Sequence, residues 1–118
     1  MIRILIAEAS AEIQDGLSSV LNSTPGFHVI GVASTGLETV SLANELVPDI
    51  VIIDPYLSGI DGIETTSRIK RSMPDVAVLI LSDLADHIES GLAAGAEGYL
   101  SKDCDCEELI ARVSEISG

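Results

Sequence analysis

Short apolar runs and amphipathic stretches alternate five times along this chain, and no other feature restricts its fold as strongly. Ile4-Leu5-Ile6-Ala7 has the length of a strand. Ile13, Leu17, Val20 and Leu21 follow at helical spacing, behind a capping residue at Ser10. Pro25-Gly26 turns the chain into a second strand, His28–Val32. Thr35-Gly36-Leu37-Glu38 has the form of a capping box and opens a helix that stops at Pro48. Ile50-Val51-Ile52-Ile53 is a run of β-branched residues, which predicts a strand covered on both faces. Asp61-Gly62-Ile63-Glu64 is a second capping box, for a helix ending near Ser72. Pro74 then separates it from a fourth strand, Val76–Leu81. Ile88, Leu92 and Ala93 mark a short helix closed by Gly95, and Gly98-Tyr99-Leu100 is the last strand. Asp105-Cys106-Glu107-Glu108 caps a final helix with the apolar stripe Leu109, Ile110, Val113 and Ile116.

Strict alternation of strand and helix implies right-handed βαβ units and a parallel sheet with helices on both faces. The 118 residues make one domain, spanning residues 1–118. Apolar residues are 47% of the chain, enough to close a core without disulfides or metal, and aromatics only 3%, so the core must be aliphatic. In open sheets of this kind, ligands bind outside the carboxyl ends of the strands. Those ends therefore hold the candidate chemistry. Glu8 follows strand one, Asp54 strand three, Ser82 and Asp83 strand four, and Ser101 and Lys102 strand five. Any one of these is an ordinary loop residue. Four such positions in four βα units predict one shared rim carrying a lysine, a hydroxyl and two carboxylates.

Several functions are excluded or disfavoured. The net charge is −13, with only six basic residues, three of them (Arg68, Lys70, Arg71) on what reads as the solvated face of one helix. Such a surface repels nucleic-acid backbones and anionic lipid, so direct nucleic-acid contact is not expected. No segment reaches the ~18 apolar residues of a membrane span, and no signal-peptide pattern precedes Ile2, so a cytoplasmic protein is expected. Cys104 and Cys106 form one C-x-C. With two distant histidines they do not make a zinc site, and residues two apart do not form a strain-free disulfide. They read as surface or packing thiols, the lesser alternative being a thiol of lowered pKa beside a helix N-terminus. Ala7-Glu8-Ala9-Ser10 lacks the glycines of a dinucleotide loop. No activated nucleophile with its own base is visible, and His28 and His87 read as lying away from the rim, so an enzyme is not expected.

The stretches Ile4-Leu5-Ile6-Ala7-Glu8, Asp49–Asp54, Gly59-Ile60-Asp61-Gly62, Leu81-Ser82 and Gly95–Asp103 occur in the order and spacing of a known family. Over essentially its whole length the chain resembles the receiver domain of bacterial two-component response regulators. The run from Gly95 to Asp103 looks most like the NarL/FixJ-like subfamily, which carries a C-terminal LuxR-type helix-turn-helix. The resemblance implies a flavodoxin-like, CheY-like (βα)5 fold with strand order 2-1-3-4-5. It implies that Asp54 is the phosphoacceptor for a histidine kinase, that Ser82 and Lys102 contact the phosphoryl group, and that Tyr99 is the switch aromatic. Mg²⁺ would be held by an acidic pair after strand one, by Asp54 and by the backbone carbonyl of Tyr56. A DNA-binding output domain is expected beyond Gly118 in the full-length protein, and the α4-β5-α5 face would carry output and dimerisation.

The chain departs from that pattern at the metal site. The acidic pair is Glu8-Ala9: Ala9 has no side-chain oxygen, and Glu8 is one methylene longer than the usual aspartate. Mg²⁺ requires near-ideal octahedral oxygen geometry. One missing charge at ~4 Å and an effective dielectric of ~20 removes roughly 4 kcal/mol of attraction. Weak or absent Mg²⁺ binding is therefore expected, and with it a phosphorylation-impaired or phosphorylation-independent module acting through protein contacts. The alternative is a conventional phosphoacceptor receiver. Ser58 also replaces the family's usual proline, and the stretch from Ser82 to Gly95 is short, which predicts a trimmed fourth helix. With −13 of charge, at most a weak homodimer is expected.

Overall fold

A computed structural model of the chain describes residues 1–83 and 87–117. Strands β1 (Ile2–Ala7), β2 (Phe27–Ala33), β3 (Ile50–Ile53), β4 (Ala77–Ser82) and β5 (Gly98–Ser101) alternate with helices α1 (Ala11–Asn22), α2 (Gly36–Leu46), α3 (Gly62–Ser72), α4 (Ile88–Ala93) and α5 (Cys106–Ser117). All four strand pairings are parallel, in the order β2-β1-β3-β4-β5 expected from the sequence.

Side-chain alternation divides the core into two layers. Ile4, Ile6, Ile50, Ile52, Leu79 and Leu81 point to one face, where Leu21 of α1 and Leu109 and Val113 of α5 cover them. Leu5, Val51, Ile53, Val78 and Ile80 point to the other, under Ala43 of α2 and Ile69 of α3. Most of these side chains have no exposed surface, and each contributes on the order of 1.5–3 kcal/mol by leaving water. Ile110 and Ile116 of the α5 stripe pack at the margin of the first layer.

The predicted helix starts are where the caps fall. Ser10, Thr35, Asp61 and Asp105 accept hydrogen bonds from the backbone N–H groups of Ile13, Glu38, Glu64 and Glu108. Two capping boxes are incomplete, however. Glu38 turns back to the N–H of Ser34 rather than to Thr35, at 2.6 Å, and Glu64 faces Arg68 and Arg71. Helix α2 ends before Pro48, with Val47 in the left-handed region (φ 46°). The Arg3 guanidinium caps that end by donating to the carbonyls of Val47 and Leu46 at 2.7 and 2.8 Å.

The basic cluster on α3 requires a correction. Lys70 is not part of a solvated face: its ammonium donates to the carbonyls of Pro74 and Val76 and pairs with Glu97 at 2.7 Å. Glu97 in turn accepts from the Val78 N–H, so one ion pair ties the end of α3 to the starts of β4 and β5. Helix α4 has six residues, as the short spacing predicts, and Gly95 (φ 108°) closes it. Among the described residues no helix is long and apolar enough to cross a membrane.

Candidate functional site

Strand register brings the candidate residues to one edge of the sheet. Ala7, Ile53, Ile80 and Tyr99 are neighbours across β1, β3, β4 and β5. Glu8 and Asp54 thus follow in the next row, where alternation sends both side chains to the α1/α5 side. Ser82 pairs with Ser101 in the row after that, and the Lys102 N–H donates to the Ser82 carbonyl at 3.0 Å. Lys102 shares the parity of Leu100, and so turns to the same side as the two carboxylates.

There the Lys102 ammonium donates to Asp54 Oδ2 at 2.7 Å and to Glu8 Oε1 at 2.8 Å. The remaining carboxylate oxygens are occupied by the backbone. Asp54 Oδ1 accepts from the Tyr56 N–H at 2.8 Å, and Glu8 Oε2 from the Ser10 N–H at 2.9 Å. Glu8 is 4% exposed and Asp54 8%, so these are buried charges that the lysine must balance. Burial by itself would lower the Lys102 pKa. The hydrogen bonds to Asp54 and Glu8, and their negative charge, outweigh it and raise the pKa above its ordinary value. Two carboxylates and one ammonium leave the cluster with one net negative charge.

Ser82 is fully buried at the end of β4. Tyr99 is half-buried and packs against the second core layer, on the face opposite Lys102. Gly62, at the start of α3, lies directly under the Asp54 carbonyl. A Cβ there would come within 2.6 Å of Pro55 Cα and closer still to Asp54 O, so only glycine lets α3 begin so near the aspartate.

Two sequence expectations change. His87 does not lie away from the rim: its ring stacks edge-on against Tyr56, with centroids 4.8 Å apart. Nothing in the local sequence around residue 87 announces this, because the pairing spans two loops. The alternative of a reactive thiol also fails for Cys104. Burial pushes that thiol's pKa up, and the carboxylates of Glu108 and Asp105 push it further, which opposes thiolate formation. Both cysteines are free.

A hexacoordinate Mg²⁺ takes oxygen donors in near-octahedral geometry. Position 9 presents a methyl group, and the carboxylate oxygens that face each other across the cluster are both bonded to Lys102. Among the described residues no three His, Cys, Asp or Glu side chains are placed to hold a metal ion. The other oxygen of each carboxylate accepts from the backbone, at the Ser10 and Tyr56 N–H groups.

The sheet topology and the lysine bridging two carboxylates at its C-terminal edge fit the receiver domains that the sequence resembles, and comparison with known proteins gives the class. The response regulator receiver domain model matches residues 4–114, and the chain belongs to that family. It is 37% identical over 111 residues to the transcriptional regulatory protein LiaR of Bacillus subtilis, covering 92% of this chain and 53% of LiaR. It is 32% identical over 118 residues to the response regulator GacA of Pseudomonas aeruginosa, covering 98% of this chain and 55% of GacA. The chain thus spans about half the length of these relatives. A LuxR-family response regulator from Aurantimonas superposes with a TM-score of 0.94 at 28% identity, covering 99% of this chain and 85% of that one. The response regulator domain of Thermotoga maritima CheB superposes at 0.91 and 29% identity, covering 99% and 96%. This chain is a receiver domain of a two-component response regulator, of the NarL/LuxR type. Receiver domains are generally signalling modules rather than enzymes, and they generally bind Mg²⁺ at the acidic pocket.

Proposed function

We propose that this receiver regulates its output mainly through protein contacts, with phosphorylation at Asp54 impaired. The observation that carries this reading is the pairing of Ala9 with a Lys102 that already spans Glu8 and Asp54. Phosphoryl transfer to Asp54 would form an Oδ–P bond while the donor's bond to phosphorus breaks. The charge at residue 54 would rise from one negative to two, beside Glu8. Without a second carboxylate at position 9 to help hold a divalent cation, the positive charge at the cluster is that of Lys102, and it is shared between Glu8 and Asp54. Mg²⁺ binding is accordingly weak in this account.

The reading carries further assignments. The input is a histidine kinase or another regulatory protein. A DNA-binding output domain follows residue 118 in the full-length protein, as the greater length of the relatives suggests. The domain works in the cytoplasm and does not itself contact nucleic acid. A second reading, a conventional phosphoacceptor, is favoured by one specific observation: Asp54 sits buried just past the end of β3, with Ser82 ending the adjacent β4 and Lys102, just past β5, bonded to the aspartate. In that case Ser82 and Lys102 would contact the phosphoryl group and Tyr99 would report it. Incubation with acetyl phosphate and Mg²⁺, followed by intact-mass measurement, separates the two. The first reading predicts little adduct on the wild-type chain and more on Ala9→Asp. Rapid, near-complete phosphorylation of the wild type supports the second.

A further inference from the structure

The β1–β3 ladder joins the segments that carry Glu8 and Asp54 directly, ending in the Asp54 N–H bond to the Ala7 carbonyl at 3.0 Å, and beyond it the loops are joined again through the loop between β2 and α2. Gln14 of α1 donates its side-chain amide to the Glu8 carbonyl and, at 3.1 Å, to Ser34 Oγ. Two residues on, the Gly36 N–H donates to the Ser58 carbonyl at 3.3 Å, and Thr35 and Ser58 form an isolated parallel bridge. Ser58 lies in the loop that starts at Asp54. The path from Glu8 through Gln14, Ser34, Gly36 and Ser58 to Asp54 therefore closes a ring whose front is Lys102.

Gly36 is the tightest point of this ring. A Cβ there would collide with the Ile60 carbonyl and side chain and would stand 2.6 Å from Thr65 Oγ1. Backbone cannot swing aside as a side-chain tip can, so any larger residue must push the Asp54 loop and the α2 start apart. Gly31, on the same strand–helix unit, differs. A Cβ there meets only the methyl tips of Leu46 and Leu5, at 3.1 and 3.3 Å.

We propose that the β2–α2 loop is a positioning element of the acidic cluster, with Gln14 and Gly36 setting the spacing of Glu8 and Asp54 although neither touches a carboxylate. The inference rests on the reading of that cluster as the regulated site. Its physical content is that the ring adds to the β1–β3 ladder, holding the loops past the strand ends from behind, so Lys102 bridges the carboxylates without having to draw those loops together. A partner or substitution that moved Ser34–Gly36 would move the site.

The test uses amide NMR spectra of the whole chain without metal or phosphoryl donor, so it does not depend on whether Asp54 can be phosphorylated. The Ser10 and Tyr56 amides report the cluster, because they donate to Glu8 and Asp54. Gln14→Met should shift the Ser10 signal and Gly36→Ala the Tyr56 signal. The control Gly31→Ala should lower the melting temperature while leaving both in place. Should Gly36→Ala fail to fold, Gln14→Met decides alone. Wild-type positions for both reporters in the folded variants would overturn the proposal, as would equal shifts in Gly31→Ala.

Discussion

Lys102 carries the electrostatics of the cluster. Two buried carboxylates share its ammonium, with side-chain exposures of 14% for the lysine, 5% for Glu8 and 10% for Asp54. Removing one partner of a buried charge group typically costs about 3–5 kcal/mol, because the others are left uncompensated. Lys102→Met should therefore destabilise the domain by about that amount at neutral pH, measured by urea unfolding. The pH dependence follows from the raised lysine pKa. The folded state holds the proton more tightly, so the contribution is complete below the unfolded value near 10.5. It is lost as pH rises through the folded value. Wild-type stability should fall above pH ~10.5 by this route, and the Lys102→Met profile should be flatter there.

Among the elements, α3 is fixed at both ends by interactions of different legibility. Its N-terminus was visible in the sequence, since an aspartate three residues before a glutamate marks a cap, and Asp61 does accept the Glu64 N–H. Its C-terminal tie is Lys70, which reads as a surface lysine because both of its anchoring carbonyls and Glu97 are brought to it by the fold. Lys70→Met should cost roughly 1.5–3 kcal/mol, the usual range for hydrogen bonds to a charged group, whereas Arg71→Met should cost little. Urea unfolding of the two variants checks this. The same contrast runs through the rest of the chain. Strand order, the aliphatic core and the convergence of Glu8, Asp54 and Lys102 follow from periodicity and strand ends, and were legible. The return bond of Glu38 to Ser34, the stacking of His87 on Tyr56 and the Gln14–Ser34 contact depend on which loops meet. Local sequence carries no signal for such meetings.

For the molecule as a whole, the net charge of −13 governs association. All six basic side chains have internal partners: Arg3 at the end of α2, Arg68 and Arg71 on Glu64, Lys70 on Glu97, Lys102 in the cluster and Arg112 on the Tyr99 carbonyl. Nineteen acidic residues against six basic ones leave the surface acidic on balance, and two copies repel. Sedimentation should find a monomer or a weak dimer at low salt, with association increasing as salt screens the charge. A tight dimer at low ionic strength would show that apolar contact outweighs this repulsion. The same excess of negative charge should attract any divalent cation in a general way, so diffuse attraction must be separated from a built site. Mg²⁺ titration of the wild type and of Ala9→Asp, at fixed ionic strength and read at the Tyr56 amide, makes that separation. The account predicts weak binding by the wild type and at least about tenfold tighter binding by Ala9→Asp, a factor worth ~1.4 kcal/mol. Wild-type affinity equal to that of Ala9→Asp would contradict it.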